Sequence, residues 1–193
     1  MAKRVFFSFH YDDVIAFRAN VVRKHDVTKD TGTAGFFDAS IWEDAKLSGS
    51  ASVKRLIHRG LENTSVSCAL IGTETWRRRW VRYELLKSYD RGNALLGVYI
   101  NSIPGKDSRT RPTGQNPFSC LGLHIDDNGQ VAYFERDTPG GDWQRARDLP
   151  SGERTFARSA WGKGYTMSAW VPCHDWVTAD GYRNFATWVE NVT

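Results

Sequence analysis

Apolar residues in the first half of the chain come in short unbroken runs. Residues 4–10 read RVFFSFH, 65–72 read SVSCALIG and 94–100 read ALLGVYI. Runs of this length and texture mark strands buried on both faces. Between them the apolar spacing changes to three and four. Val14, Phe17, Val21 and Val22 form one stripe, which predicts a helix over about 14–24. Asp12 and Asp13 then serve as its N-cap and first-turn acid. Val53, Leu56, Ile57 and Leu61 predict a second helix. A third runs through TETWRRRWVRYELLKSYDRGN, with Thr73 or Thr75 as its cap and Gly92 at C′. Residues 26–35 form a polar loop, and FFDAS at 36–40 is a short strand running out into another loop.

Strands alternating with helices predict a parallel sheet covered by helices, an α/β fold. In open sheets of this kind ligands sit outside the carboxyl ends of the strands. That rule selects SFHYDD (8–13), FDASIWED (37–44) and IGTETW (71–76).

The texture changes after Ile100. NSIPGKDSRTRPTGQNP is a loop rich in Pro, Gly and Arg. GLHIDDNGQVAYFE predicts a hairpin over about 121–136, turning at Asp127-Asn128-Gly129. TADGYRNFATWVENV predicts an amphipathic helix over about 178–191, with Tyr182, Phe185, Trp188 and Val189 on one face. The chain thus divides into an α/β core, 1–102, and a C-terminal elaboration, 103–193, packed on the same domain.

At 193 residues this is one domain with a sizeable core. A net charge of +4 suits an anionic ligand but is too mild to argue for nucleic acid. The odd count of three cysteines, none in a CxxC pair, points to reduced structural thiols, and no zinc pattern occurs. The apolar run near the N-terminus is too short for a signal peptide, and nothing approaches a membrane span. A cytoplasmic protein that touches neither membrane nor nucleic acid is expected.

Trp80 and Glu84 stand four apart and so share one helix face. Two readings stay open on spacing alone. Trp80 is a core residue beside a rim Glu84 paired with Arg77 or Lys87, or the two act on one ligand. The rim segments offer Ser8, Phe9 and His10, and then Asp38, Ser40, Trp42, Glu43, Asp44 and Lys46. Polar and aromatic loops of this kind serve as sites or as solvated turns. Arg77, Arg78, Arg79 and Arg82 suit a pyrophosphate or a solvated face. Neither GxGxxG nor GxxxxGK[ST] occurs.

KRVFFSFHYDDV, FDASIWEDAK and LENTSVSCALIGTETWRRRWVRYELLKS resemble the TIR-like domains of bacterial antiphage systems, in particular the ThsB family of Thoeris defence. The similarity extends to the final DWVTADGYRNFATWV. The resemblance implies a flavodoxin-like TIR fold that consumes NAD as substrate rather than as cofactor. It implies cleavage at the nicotinamide–ribose bond, with Glu84 as the catalytic carboxylate and Trp80 as a substrate-binding plate. Ser8, Phe9, His10 and the loop residues Asp38, Ser40, Trp42 and Lys46 would form the opposite wall. The implied product is a cyclic ADP-ribose isomer, a diffusible signal that activates a separate ThsA-like effector. Self-association through the TIR domain is implied as well. The alternative is a TIR module that only assembles with partners. A weaker one is an enzyme like the nucleoside deoxyribosyltransferases.

Overall fold

A computed structural model describes residues 3–24 and 47–193. Strands β1 (Val5–Phe9), β2 (Val66–Ile71), β3 (Ala94–Tyr99) and β9 (Cys173–Asp175) form a parallel sheet in that order. The three apolar runs supply the first three strands. Val5 pairs with Val66 and Val66 with Ala94, so the runs lie in register. The fourth strand, CHD, comes from the far end of the chain and pairs with β3 from Gly97 to Tyr99.

Alternation along β1 sends side chains to two layers. Val5 and Phe7 pack with Ala19, Val22, Phe185 and Val189, from helices α2 (Arg18–Arg23) and α5 (Gly181–Asn191). Phe6 packs on the other face with Val53, Ile57, Leu61 and Tyr83, from α3 (Ser50–Leu61) and α4 (Arg79–Asp90). Cys68 lies wholly inside the first layer, where burial raises its thiol pKa well above the ordinary value. It is a packing residue.

The second half builds an antiparallel sheet on the outer side of α4. Strands β4 (Leu121–Ile125) and β5 (Gln130–Glu135) form the expected hairpin, with Gly129 in the left-handed region at φ 80°. Strands β6 (Gln144–Arg145) and β7 (Ser151–Thr155) pair with β5, and β8 (Lys163–Thr166) pairs with β4. Val81, Leu85 and Leu86 of α4 meet Leu121, Leu123, Val131 and Tyr133 of this sheet. Helix α4 is therefore sandwiched between two sheets. Arg82, Glu84, Ser88 and Asp90 are buried with it. Asp90 accepts from the Tyr133 hydroxyl at 3.1 Å and the Glu153 amide at 2.7 Å, and pairs with Lys87.

Three expectations are corrected. The first helix is broken into α1 (Tyr11–Ile15) and α2, because Phe17 stands in the left-handed region at φ 74°. The break exposes Phe17 and Val21 and turns Arg18 inward instead. The Arg18 guanidinium donates to the carbonyls of Ile103 and Arg109 and pins the 101–117 loop over the sheet. Thr75 does not cap α4. It accepts from the Gly72 amide at 2.9 Å and opens a short 3-10 turn, Thr75–Arg77, ahead of the helix. The last helix begins at Gly181, and Tyr182 is 67% exposed while Phe185 and Val189 are buried. The C-terminus of α4 does follow the sequence reading. Gly92 has φ 91°, its amide reaches the Tyr89 carbonyl and that of Asn93 reaches Ser88, a Schellman motif.

The 101–117 loop closes on β2 through glycine. Asn101 donates to the Thr73 hydroxyl at 3.1 Å and the Pro112 carbonyl at 2.7 Å. A Cβ on Gly114 would overlap the Gly72 carbonyl oxygen, which is backbone and cannot swing aside. Gly114→Ala is expected to cost about 3 kcal/mol. A thermal melt should show the midpoint falling by roughly 6–12 °C. An unchanged midpoint would mean the loop does not press on β2.

Candidate active site

Glu84 lies in the second turn of α4, on the side facing β1. The Ser8 hydroxyl, near the carboxyl end of β1, donates to Glu84 Oε2. Both residues are buried. Among the described residues no cation pairs with this carboxyl. Arg77 pairs with Glu74 at 3.0 Å and Lys87 with Asp90 at 2.8 Å, so the rim ion pair allowed by the spacing does not form. Burial pushes the Glu84 carboxyl up to about 8, against the Ser8 hydrogen bond, which favours the ionised form. A sequestered carboxyl without a counter-ion is costly to keep in a fold and is a mark of functional sites.

Ser8 therefore sets how acidic Glu84 is. Among the described residues, Ser8→Ala removes the one group that lowers this carboxyl's pKa. The pH at which Glu84 ionises is expected to shift upward. Titration followed by carboxyl-labelled NMR checks this, and a midpoint that stays put or falls would count against the assignment.

Trp80 is half-buried one turn before Glu84. It rests on the Phe6 cluster, edge-on to Tyr83 at 6.0 Å, and the Arg79 guanidinium lies 4.5 Å from its ring. It is thus anchored in the core and partly open at the rim. Phe9 alternates to the opposite face of β1, where it packs with the α2 and α5 layer and lies under Arg23 at 5.3 Å. The structure does not bring its ring onto the Glu84 side of the sheet. His10 follows β1, with Nδ1 3.6 Å from Asp12. Asp38, Ser40, Trp42 and Lys46 lie outside the described residues.

The rim holds groups that motif reading did not single out as site residues. Asp13 rests its carboxyl against the Cα of Gly72, where no side chain larger than hydrogen fits without displacing it. Burial pushes this carboxyl up to about 6, opposed by Arg18, the Thr75 hydroxyl and Arg78, and aided by Asp12. Its position directly after a buried strand was the available signal, but helix capping explained it equally well. The four arginines separate by role. Arg79 grips Asp148 with two bonds of 2.7 and 2.8 Å. Arg82 is buried, donating to the Trp76 carbonyl at 3.0 Å and lying 3.9 Å from Glu135. Arg77 is exposed against Glu74. Arg78, just before α4, has a buried Nε with no hydrogen-bond partner among the described residues. Among those residues no cluster of three or more His, Cys, Asp or Glu side chains is placed to hold a metal, and no helix is long and apolar enough to cross a membrane.

A parallel sheet flanked by helices, with this buried glutamate behind the end of β1, defines a TIR-like α/β domain. Residues 6–104 match the family described as "Thoeris protein ThsB, TIR-like domain". The chain is also 49% identical over 192 residues to "Putative cyclic ADP-D-ribose synthase ThsB1" of Bacillus cereus (strain MSX-D12), covering 98% of this chain and 100% of that one. The chain belongs to the ThsB family of Thoeris TIR-like proteins.

Proposed function

We propose that the chain consumes NAD, cleaving the nicotinamide–ribose bond and joining the ribosyl carbon to another atom of the same ADP-ribose. The product is a cyclic ADP-ribose isomer that acts as a signal to a separate effector. The name of the Bacillus cereus relative, a cyclic ADP-D-ribose synthase, supports this reading. The single observation that carries the site assignment is the buried Glu84 carboxyl, hydrogen-bonded to Ser8 and free of any described cation.

Loss of nicotinamide leaves an oxocarbenium-like ribose with positive charge near its anomeric carbon, as in other glycosyl cleavages. An ionised carboxylate in a dry site stabilises that charge strongly because little water competes with it. Glu84 has this role, and Ser8 orients its carboxylate. The cationic nicotinamide of the substrate itself favours the ionised form, so binding and proton loss from Glu84 are coupled. The open part of Trp80 stacks on that ring, with cation–π attraction added. Arg78 is the arginine of the run left to meet the pyrophosphate. Cyclisation rather than hydrolysis requires the leaving nicotinamide to be replaced before water enters. NAD is the substrate, and no further cofactor is invoked.

A neighbouring copy of the chain is proposed to complete the site. Turnover is then expected to rise faster than linearly with protein concentration. Concentrated protein incubated with NAD should release nicotinamide in step with NAD loss. NAD that stays intact at every protein concentration would overturn the reading in favour of a module that only assembles.

A further inference from the structure

The C-terminal end of α4 opens on a cavity of about 650 Å³ whose lining includes neither Ser8 nor Glu84. That is the size of a small-molecule site. Tyr89, Arg154, Trp170, His174, Trp188 and Asn191 line it. The rings of His174 and Trp188 stack in parallel, 4.3 Å apart at 11°. Burial lowers the His174 pKa below its ordinary 6.5, so this plate is uncharged at neutral pH. A second pair, Tyr89 and Trp170, lies 5.9 Å apart and tilted, with Trp170 still 41% exposed.

Arg154 brings positive charge to the cavity. The Arg154 guanidinium lies 4.3 Å from the centre of the Tyr89 ring, and one N–H donates to the Tyr89 carbonyl at 2.8 Å. Among the described residues no carboxylate pairs with it. Helix C-termini ordinarily repel anions. Here Arg154 offsets the end of α4, and Lys3 donates to the Glu190 and Val192 carbonyls at the end of α5. Arg154 keeps further N–H groups in its rigid planar fork, the geometry that matches phosphate.

We propose that this cavity binds a ligand joining a planar aromatic ring to a phosphate, the chemistry of a mononucleotide. The ring stacks against Trp170 and Trp188, and the phosphate meets Arg154. The walls are fixed in advance, because Asp90 bolts β7, which carries Arg154, to the end of α4. Glu84 precedes Tyr89 by five positions, about 7.5 Å along the helix axis, so a ligand here touches the same helix as the proposed catalytic carboxyl.

This proposal does not rest on NAD cleavage and is tested without it. AMP is titrated calorimetrically into the full chain carrying Glu84→Gln. Saturable binding of one AMP is expected, with Trp170→Ala and Arg154→Gln each weakening it by about tenfold or more. Arg154 also caps α4, so the exposed Trp170 carries the test if Arg154→Gln fails to fold. Absence of AMP binding at millimolar concentration, or binding that survives both substitutions, would overturn the proposal.

Discussion

Glu84→Gln is expected to lower NAD cleavage by about 10³-fold or more, because the charge facing the oxocarbenium-like ribose is lost. The amide has nearly the carboxyl's shape and can still accept from Ser8. The fold is expected to survive, and at neutral pH to be at least as stable as the parent. The carboxyl is buried without a described cation, so its ionised form costs stability that the amide does not. The two readouts, turnover and melting temperature, should therefore move in opposite directions or only the first should move. A variant that melts like the parent and cleaves NAD like the parent would remove Glu84 from the mechanism. Loss of turnover together with a collapse in melting temperature would mean that Glu84 is a structural residue.

The second large effect is on pH. The free protein holds Glu84 at about 8, and the proposed mechanism uses the ionised form. kcat/KM should therefore rise through pH 8, by roughly 50-fold between pH 6 and pH 8. Stability runs the other way. The folded-state value is raised above the ordinary 4.5, so the folded chain holds its proton longer than the unfolded chain. The contribution from this group is fully present below pH 4.5 and is lost as pH rises through about 8. The slope approaches about 1.4 kcal/mol per pH unit within that window. Asp13, raised to about 6, adds a loss of the same sign at lower pH. It is shared by parent and Glu84→Gln and cancels in their difference. Urea melts of the two proteins from pH 5 to 9 should diverge, with the variant gaining. Parallel curves would show that Glu84 titrates normally.

The parallel sheet was legible because buried strands write unbroken apolar runs and the helices between them write a period near 3.6. The hairpin was legible from its turn, and the end of α4 from Gly92. What escaped reading is decided across long stretches of chain. The kink at Phe17 follows from burying Arg18 against carbonyls about ninety residues later, which no local period encodes. Strand β9 is three half-buried residues, and it is a strand only because β3 leaves an edge for it. On α4 the sequence reading placed Trp80 and Glu84 on one face and left open what covers the rest. The second sheet covers the other face and takes in Arg82 and Asp90, while Ser88 meets Ser67 of β2, polar residues satisfied by partners that a pattern does not show.

The candidate site was legible as separate residues but not in its assembly. The spacing of Trp80 and Glu84 placed them on one face and could not choose between core and ligand. Family resemblance chose Glu84. The contact with Ser8, 76 residues away, is what the structure adds. Trp80 is both anchored and partly open, so neither reading of it excludes the other. Phe9 shows the limit of rim logic, since its neighbour Ser8 points to the opposite side of the same strand.

The most direct test of the central claim is the mass of what NAD becomes. Concentrated protein is incubated with NAD beside the Glu84→Gln variant, and the small molecules are resolved by mass spectrometry. A product at the mass of ADP-ribose less one water, present with the parent and absent with the variant, is what the cyclase account predicts. ADP-ribose as the sole product, or the same products from both proteins, would contradict it.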